Sequence, residues 1–369
     1  MIHSTEPGPV DRTASISVVI PHKDRPKLLA RALCSVLLQR LRPIEIVVID
    51  DGSSGDNLRK AQQVCERIGK AVNTKFLTNS ESRGANFSRN RGIAVAIGEY
   101  LAFLDSDDVW LPDKLICQMA ALARESRPAG SGFLCYTGRY RTSEDGEIIA
   151  RQVSNRTVPQ DEILFANFIG TLSSIVVDRT SIVEAGGFDE SLGASQDWDL
   201  YIALMDRVKF VPVPEPLCVY YDHGQPRISA SGRVRVRANI ALRRKHALDG
   251  RKLAARADYC RLMAEDLQLA GRETLARRFY LQHRLLARRG EPLGRLVDAA
   301  ASARVLLLGP PDIRRERYAR YRRHLARLLR SEEAKSSLLE DQDIILKLQQ
   351  TSLAYFETDL PHAIPTRAG

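Results

Sequence analysis

The stretch Tyr100-Leu101-Ala102-Phe103-Leu104-Asp105-Ser106-Asp107-Asp108-Val109-Trp110 decides the fold of this chain. An apolar run with the length of one buried strand ends in three carboxylates within four positions. Packed carboxylates repel one another and lose solvation, so a fold keeps them only with compensating positive charge. A divalent cation is the natural compensation, and Asp oxygens suit Mg²⁺ or Mn²⁺. The competing interpretation is a solvated acidic turn that caps a helix starting near Pro112.

The sequence before this stretch alternates short apolar runs with amphipathic segments. Strands are predicted at 16–20, 44–49 and 75–77 and in the run ending at Asp105, with helices opening at Pro26, running through Cys65 and Ile68, and covering 86–96. Short connections between such elements predict a parallel sheet with right-handed crossovers. Ligands bind at the carboxyl ends of the strands in such a sheet, which is where the carboxylates lie.

The rhythm changes after residue 128. The pattern predicts a hairpin of 132–140 and 146–152, a strand at 171–177, a helix at 196–205, and short strands at 208–210 and 217–221. From Arg233 onward the sequence is helical and rich in arginine, with a break at Gly309-Pro310-Pro311. We therefore predict a disordered leader over 1–14, an α/β domain over 15–232, a basic helical region over 233–359 and a frayed tail over 360–369.

Composition places the protein in a broad class. The chain has 369 residues, of which 44% are hydrophobic and 27% charged, as in ordinary globular proteins. Its six cysteines are scattered without a Cys-x-x-Cys pair, which argues against a zinc site or a disulfide framework and fits a reducing cytosol. We find neither an export signal nor an apolar run approaching a membrane span of about 20 residues. We expect the protein to be in the cytoplasm, either free or peripherally attached to the inner face of the membrane.

The net charge of +10 is unevenly distributed. Residues 233–330 contain 26 Lys and Arg against 9 Asp and Glu, whereas the rest of the chain has a net charge of −7. This basic segment has no recognisable nucleic-acid-binding motif and few aromatics for stacking, which argues against a nucleic-acid partner. We prefer a basic helical appendage that packs on the α/β domain or contacts anionic lipid head groups, with ordinary solvated helix faces as the alternative.

A nucleotide, if the sheet binds one, has to be held by side chains. The turn after the first strand, Pro21-His22-Lys23-Asp24-Arg25, contains no glycine, and the chain has no P-loop motif. A carboxylate of Asp50-Asp51-Gly52-Ser53 can accept a base N–H or a ribose hydroxyl, or can cap the following helix. The arginines of Arg83-Gly84 and Arg89-Asn90-Arg91-Gly92 can hold phosphate or base, or can form a solvated basic face.

A second group of carboxylates follows at Gly186-Gly187-Phe188-Asp189-Glu190 and at Gln196-Asp197-Trp198-Asp199. Asp197 and Asp199 point to different sides of the predicted helix and need not share a role. Either carboxylate can be a general base facing a substrate hydroxyl, or a partner of the helix dipole. His223 is a lone histidine after a strand, and only its neighbours make it a candidate ligand.

Taken together, these motifs resemble the nucleotide-sugar glycosyltransferases of family 2, which have the GT-A fold, over about residues 16–230. The matching segments are, in family order, Ile16-Ser17-Val18-Val19-Ile20-Pro21, Ile49-Asp50-Asp51-Gly52-Ser53, Gly84 with Arg89-Asn90-Arg91-Gly92, the Asp-x-Asp motif Asp105-Ser106-Asp107, and Gly186-Gly187-Phe188-Asp189-Glu190 with Asp197. Two positions depart from the family pattern: Gln196 replaces a usual Glu, and Lys23 stands where an aromatic residue is common.

The resemblance implies an α/β GT-A fold, with a mixed, mostly parallel sheet, followed by the basic helical region. It implies metal-dependent inverting transfer of a sugar from a nucleotide-diphosphate donor, UDP-linked, to a hydroxyl of a glycan or lipid-linked acceptor in surface polysaccharide, lipopolysaccharide or other glycoconjugate synthesis. Asp197 would be the general base, with Asp107 and His223 as ligands of Mn²⁺ or Mg²⁺. The implied nucleotide-binding residues are Pro21, Lys23, Asp24, Asp51, Arg83, Arg89, Asp105 and Ser106. The alternative is a non-catalytic nucleotide-sugar or polysaccharide-binding module on the same fold.

Overall fold

A computed structural model describes residues 15–127, 130–143, 145–154, 159–221, 231–248, 256–287 and 332–357, together with Arg323. The strands are β1 (Ile16–His22), β2 (Glu45–Asp50), β3 (Thr74–Thr78), β4 (Tyr100–Phe103), β5 (Val109–Trp110), β6 (Gly132–Thr142), β7 (Ile148–Gln152), β8 (Ile175–Asp178) and β9 (Val208–Tyr221). The helices are α1 (Pro26–Leu37), α2 (Gly55–Gly69), α3 (Ala85–Val95), α4 (Lys114–Ala123), α5 (Arg179–Glu184), α6 (Gln196–Leu204), α7 (Gly232–Lys245), α8 (Ala257–Leu269), α9 (Glu273–Ala287) and α10 (Glu332–Glu357).

The strands form one mixed sheet in the order β3-β2-β1-β4-β8-β6-β9-β5, and β7 pairs with β6. The first four strands run parallel, as the sequence predicts. β8 is antiparallel to both β4 and β6, and β9 is parallel to β6. The predicted fold class, a mixed sheet with flanking helices and a helical C-terminal part, is confirmed.

The sheet separates two hydrophobic cores. Successive residues of a strand point to opposite faces, so Val18 and Ile20 of β1 pack into the core under α1 and α2, whereas Val19 joins the core under α3 and α6. Because helices cover both faces, β1 is buried at every position. This explains why it is an uninterrupted run of apolar residues rather than an alternating pattern.

The strand β9 corrects the prediction of two short strands at 208–210 and 217–221. It is a single strand of 14 residues that crosses Pro212, Pro214 and Pro216. Proline lacks the N–H that a central strand needs. The other edge of β9 pairs with β5 only at Val219 and Cys218, within the described residues, so the prolines interrupt no second ladder. Opposite them, the pairing with β6 shifts register at Gly138, which accommodates the irregular stretch.

Two further boundaries differ from the sequence prediction. The predicted strand at 171–177 starts with a 3₁₀ turn, Leu172–Ser174, and only then becomes β8. The hydroxyl of Thr171 accepts the N–H of Ser173, which stabilises this turn. β4 ends at Phe103, so the acidic residues that follow lie in a loop before the two-residue strand β5.

The C-terminal helix α10 belongs to the core of the α/β domain. Its Ile345 and Leu348 are buried in the core on the α1 face of the sheet. The hydroxyl of Tyr140 in β6 donates to Asp341 at 2.5 Å, and the Ile148 N–H of β7 donates to Gln342 at 2.8 Å. The predicted leader, tail, break at Gly309 and helical run at 314–330 lie outside the described residues, apart from Arg323. In the described part of the chain, no helix is long and apolar enough to cross a membrane.

Candidate active site

Asp51, just after β2, is the most heavily hydrogen-bonded carboxylate near the strand ends. Its Oδ1 accepts from Asn79 Nδ2 at 2.8 Å, from the Arg83 N–H at 2.9 Å and from the Ser88 hydroxyl at 3.3 Å. Its Oδ2 accepts from the Ser82 hydroxyl at 2.7 Å and from the Gly84 N–H at 2.9 Å. These five donors exceed the four lone-pair sites of a carboxylate. Asp51 therefore anchors the loop before α3, and a nucleotide base would have to share or displace one of these donors.

Gly52 allows the loop before α3 to lie directly against the backbone that follows β2. It has a φ of +72°, and a Cβ there would lie 2.8 Å from the Ser82 backbone nitrogen. A larger residue would push the loop away from Asp51, so the glycine of this motif is required by close packing of backbone. Burial raises the pKa of Asp51, but the hydrogen bonds from the Arg83 N–H and the Ser82 hydroxyl outweigh burial and leave the pKa below its usual range.

Two neighbouring carboxylates also hold turns together. Asp50 Oδ1 accepts the N–H of Ser53 at 2.8 Å, which holds the turn before α2, but the N-cap of that helix is Ser54 and not Asp50. Asp24, after β1, accepts the N–H of Ser54 at 2.8 Å and the amide of Asn57 at 3.1 Å. The hydrogen bond from the Ser54 N–H holds the pKa of Asp24 below its usual value. Asp24 thus links the turn after β1 to the start of α2. Pro21 lies buried in β1, and Lys23 is exposed beside Asp24.

Arg89 on α3 and Asp105 after β4 form a pair at the centre of this edge. Arg89 is 3% exposed, and its Nη2 donates to Asp105 Oδ1 at 2.6 Å. The guanidinium also lies 5.4 Å from the ring centroid of Phe188, whose ring packs edge-on against Phe103. The interpretation of Arg89 as part of a solvated basic face is therefore wrong. Arg83, in contrast, is half-exposed and stacks over Phe87 at 3.5 Å.

The rest of the acidic loop is clamped by arginines of the first turn and of α1. Arg25 donates to Asp107 Oδ2 at 3.1 Å, and Arg31 donates to the Asp107 carbonyl at 2.8 Å. Asp108 is buried and accepts from the hydroxyl of Ser173 at 2.6 Å. The loop does not cap α4, since the N-cap of that helix is Asp113. Ser106, which lies between Asp105 and Asp107 in sequence, is buried.

The carboxylates of Asp105 and Asp107 fit a divalent cation of the Mg²⁺ or Mn²⁺ type. Both side chains belong to the loop between β4 and β5, and both are partly exposed, Asp105 at 30% and Asp107 at 19%. The described residues contain no group of three or more His, Cys, Asp and Glu that could enclose a metal. This donor set suits a cation that takes one or two carboxylates and completes its shell with phosphate and water. His223, the other predicted ligand, lies outside the described residues.

Asp197 on the first turn of α6 is held differently. Its Oδ2 accepts from Asn167 Nδ2 at 3.0 Å and its Oδ1 accepts the Trp198 N–H at 2.8 Å. Burial raises the pKa of Asp197, whereas the two hydrogen bonds and the charge of Arg89 lower it and the charge of Asp105 raises it. The net shift is upward. The segment 167–173 connects Asp197 with the acidic loop, because Asn167 also accepts the Gly170 N–H at 2.7 Å and the Asp105 N–H donates to the Ser173 hydroxyl at 3.1 Å.

Several residues that contact the predicted site residues were not predicted from the sequence. Asn167, Ser173 and Arg31 contact the predicted site residues from distant segments, and no local motif announces them. Arg139 of β6 donates to the Ile169 carbonyl at 2.9 Å. Its charge, like those of Asp197 and Asp105, acts on the buried phenol of Tyr201. A sheet topology would have been needed to find them.

The chain is similar to known proteins in sequence and in fold. A sequence profile described as Glycosyl transferase family 2 matches residues 17–179. The amylovoran biosynthesis glycosyltransferase AmsB of Erwinia amylovora is 30% identical over 215 residues, covering 56% of this chain and 69% of AmsB. The UDP-Glc:alpha-D-GlcNAc-diphosphoundecaprenol beta-1,3-glucosyltransferase WfgD of Escherichia coli is 28% identical over 190 residues, covering 52% of this chain and 69% of WfgD.

Solved structures show the same fold. The mannosyltransferase PcManGT from Pyrobaculum calidifontis, in complex with GDP-Man and Mn²⁺, matches with a TM-score of 0.50 at 15% identity. The match covers 95% of this chain and 90% of that one. At this identity the likeness concerns the fold alone.

Proposed function

The chain belongs to glycosyltransferase family 2, and we propose that it transfers a sugar from a nucleotide-diphosphate donor to a hydroxyl acceptor by single displacement with inversion. The observation that carries this proposal is the connection between Asp197 and the acidic loop through the segment 167–173. Asn167 donates to Asp197 and accepts the Gly170 N–H, and the Asp105 N–H donates to the Ser173 hydroxyl at 3.1 Å. A carboxylate that is so placed can serve an acceptor beside a bound donor.

The raised pKa of Asp197 suits a general base. Burial makes its charged form less favourable, so the carboxylate gains more by accepting a proton than an exposed Asp does. We propose that Asp197 removes the proton of the acceptor hydroxyl as the sugar carbon passes through an oxocarbenium-like transition state. The Asn167 amide holds the carboxylate in one orientation during this transfer.

Residues of the acidic loop support a divalent cation in this proposal. Asp107, with Asp105 beside it and His223 as a further candidate, would hold Mn²⁺ or Mg²⁺. When bound, the cation supplies neutralising charge for the diphosphate leaving group. Arg25 already lies against Asp107 and adds a fixed positive charge at the same loop. Arg89 keeps Asp105 oriented toward the site.

The nucleotide would lie along the ends of β1, β2 and β4. Asp51 and the loop that it anchors, which includes Arg83, form one wall, with Pro21, Lys23 and Asp24 on the β1 side. Asp105 and Ser106 are then placed for the ribose. The UDP-Glc donor in the name of WfgD supports a UDP-linked donor, and the GDP-Man bound to PcManGT makes a GDP-linked donor the alternative.

The test pairs two substitutions with two readouts. The donor panel is UDP-glucose, UDP-N-acetylglucosamine and GDP-mannose, assayed for Mn²⁺-dependent nucleotide release. Asp197→Asn should lower turnover by about 10²–10⁴-fold, the usual worth of a general base, while nucleotide binding persists. Asp107→Ala should weaken Mn²⁺-dependent binding of UDP or GDP in calorimetry. Undiminished turnover in Asp197→Asn would remove the base assignment. No turnover of any panel donor by the unaltered chain, with nucleotide binding retained, would favour a binding module without catalysis.

We also propose that the acceptor is a lipid-linked glycan reached at an anionic membrane surface. The name of WfgD specifies such an acceptor, alpha-D-GlcNAc-diphosphoundecaprenol. One face of α7 exposes Arg233, Arg237 and Arg244 together with Ile240, which is 43% exposed. This mixture of cationic and apolar side chains is complementary to anionic head groups over an apolar interior.

Vesicle co-sedimentation tests this contact. Binding to phosphatidylglycerol vesicles at low salt, its loss at high salt and its absence with phosphatidylcholine would agree with the proposal. The variant Arg237→Glu should reduce the bound fraction, whereas Arg59→Glu, which changes an exposed arginine on α2, should not. Equal sedimentation with and without anionic vesicles would exclude the membrane surface as a partner.

A further inference from the structure

A buried carboxylate on α6 faces the basic C-terminal region. Asp199 lies two residues after Asp197, and its side chain is 2% exposed. Lys245 Nζ donates to Asp199 Oδ2 at 2.8 Å, and His246 Nε2 lies 2.7 Å from Asp199 Oδ1. The prediction that Asp197 and Asp199 point to different sides of the helix is thus confirmed. Asp199 takes both of its partners from the end of α7.

Lys245 makes a second contact, with the loop that packs against α3. Its Nζ donates to Asp189 Oδ2 at 2.9 Å. The loop that contains Asp189 is tied to α3, because Asn86 donates to the Asp189 carbonyl at 2.8 Å and Asn90 exchanges two hydrogen bonds with the backbone of Phe188, at 2.9 and 2.8 Å. Lys245 therefore links α7, α6 and the loop of Asp189, which is hydrogen-bonded to α3, the helix that carries Arg89.

Charge explains why this tie is strong. Burial lowers the pKa of Lys245, but its hydrogen bonds to Asp189 and Asp199 outweigh burial and raise the pKa, so the lysine is charged over the physiological range. A buried carboxylate that loses a cationic partner is left with uncompensated charge. Without Lys245, Asp199 would keep His246 as a partner but lose the lysine charge, which favours a rotation or shift of α6 that brings Asp199 toward water.

We infer that Lys245 is a positioning residue for the transfer reaction: through Asp199 it fixes the orientation of α6, and thereby the place of the Asp197 carboxylate. The inference rests on the proposed role of Asp197. α6 has only nine residues, so a movement at Asp199 carries Asp197 with it. Misplacement of a reacting group by about 1 Å costs about 100-fold in rate. The basic region thus contributes directly to the geometry of the site.

The experiment compares Lys245→Met with Lys209→Met. Lys209 has a similar exposure, 40% against 41%, and forms its own ion pair with Glu125 at 2.6 Å, so it controls for the loss of a lysine salt bridge. Turnover is followed as nucleotide release from the panel donor that the unaltered chain uses fastest. Binding of the matching diphosphate, UDP or GDP, is measured by calorimetry.

We expect Lys245→Met to lower kcat about 10- to 100-fold with a dissociation constant for the diphosphate within twofold of the unaltered chain. Lys245→Arg, which keeps the charge, should restore kcat to within about fivefold, and Lys209→Met should leave kcat unchanged. Amide hydrogen exchange over 196–204 should rise in Lys245→Met and not in Lys209→Met, a readout that needs no substrate.

Several outcomes would overturn the inference. It is wrong if Lys245→Met keeps kcat within twofold, or if kcat and diphosphate binding fall together in a partly unfolded protein. Should Lys245→Met not fold, Lys245→Gln is measured with the same expectation, and kcat within twofold of the unaltered chain in that protein would likewise overturn the inference. Failure of the proposed function is a separate result, since it would appear as turnover retained in Asp197→Asn.

Discussion

The two sides of the site hold their central carboxylates in opposite ways. On the side that we propose for the nucleotide, the nucleotide side, Asp51 receives five hydrogen bonds, and its pKa lies below the usual range. On the side that we propose for the acceptor, the acceptor side, Asp197 receives two hydrogen bonds, and burial raises its pKa. A carboxylate saturated with donors is a structural anchor that keeps its charge. A desolvated carboxylate with few donors is suited to taking up a proton, and Asp197 is at the same time partly accessible to solvent.

The origin of the hydrogen-bond partners differs as well. All five donors to Asp51 come from residues 79–88, a single loop and the start of α3. The partners on the acceptor side come from Asn167, from the loop at Asp189 and from the end of α7. The nucleotide side is thus built from neighbouring crossovers of one sheet, whereas the acceptor side depends on segments far apart in sequence.

The largest effect that sharpens this comparison is expected for Asp51→Asn. The amide keeps the shape of the side chain but turns one acceptor oxygen into a donor, so buried N–H and hydroxyl groups lose their partner. We expect a loss of about 3 kcal/mol in the free energy of unfolding, measured in urea at pH 7. Because the pKa of Asp51 is lowered in the folded protein, this difference should shrink as the pH falls through that pKa.

The control for this substitution is Asp56→Asn. Asp56 is exposed on α2 and pairs with Arg59 and Lys60. Its replacement should leave the urea midpoint unchanged. Equal midpoints for Asp51→Asn and the unaltered chain would show that the loop before α3 does not depend on this carboxylate.

The opposite sign is expected for Asp197→Asn. A group whose pKa is raised on folding destabilises the folded state above that pKa, because its charged form is disfavoured there. Replacing it with a neutral amide should therefore stabilise the protein by about 1 kcal/mol at pH 7, although turnover is lost. Thermal unfolding over a pH series provides the measurement. The gain should grow as the pH rises from 4, and a destabilised Asp197→Asn at pH 7 would contradict the comparison.

A smaller effect is expected for Asn167→Ala. The Asn167 amide stabilises the ionised form of Asp197, so its removal should raise the pKa of that carboxyl further. One hydrogen bond of about 1 kcal/mol corresponds to about fivefold. We expect kcat to fall about fivefold on the acid limb of its pH profile and to change little above pH 8.

Asn57→Ala is a matched control for that experiment. Asn57 donates to Asp24, a carboxylate on the nucleotide side, at 3.1 Å. Its removal should leave the acid limb where it is. A parallel shift in both variants would mean that the limb reports a general change of the protein and not the proton uptake of Asp197.

The nucleotide side was largely predictable from sequence. The apolar runs of β1 and β2, the helix opening at Pro26 and the acidic loop after β4 appear in the structure close to their predicted places. Their signals are local: continuous burial, a turn residue and a short crossover. Two details could not be predicted from the motif, namely that Asp24 and Asp50 hold turns, because these roles depend on which backbone N–H groups come near.

The acceptor side was predictable only as a set of candidate residues. Asp197 was identified by its motif, but its partner Asn167 was not, and β9 was divided at its prolines. The sheet tolerates those prolines because the pairing with β5 is limited to two positions, a fact of strand order and not of local pattern. Likewise, the sequence does not indicate which elements the basic region contacts, whereas in the structure α10 closes one core and Lys245 holds Asp199.

By itself, the sequence determined the alternation of strands and helices, the edge of the sheet at which the carboxylates collect, and the resemblance to family 2. These properties follow from the period of apolar residues and from turn residues, which act over a few positions. Only the tertiary structure decided which carboxylate is saturated and which is left ready for a proton. That depends on burial and on donors more than 25 residues away, as for Asn79 with Asp51 and Asn167 with Asp197.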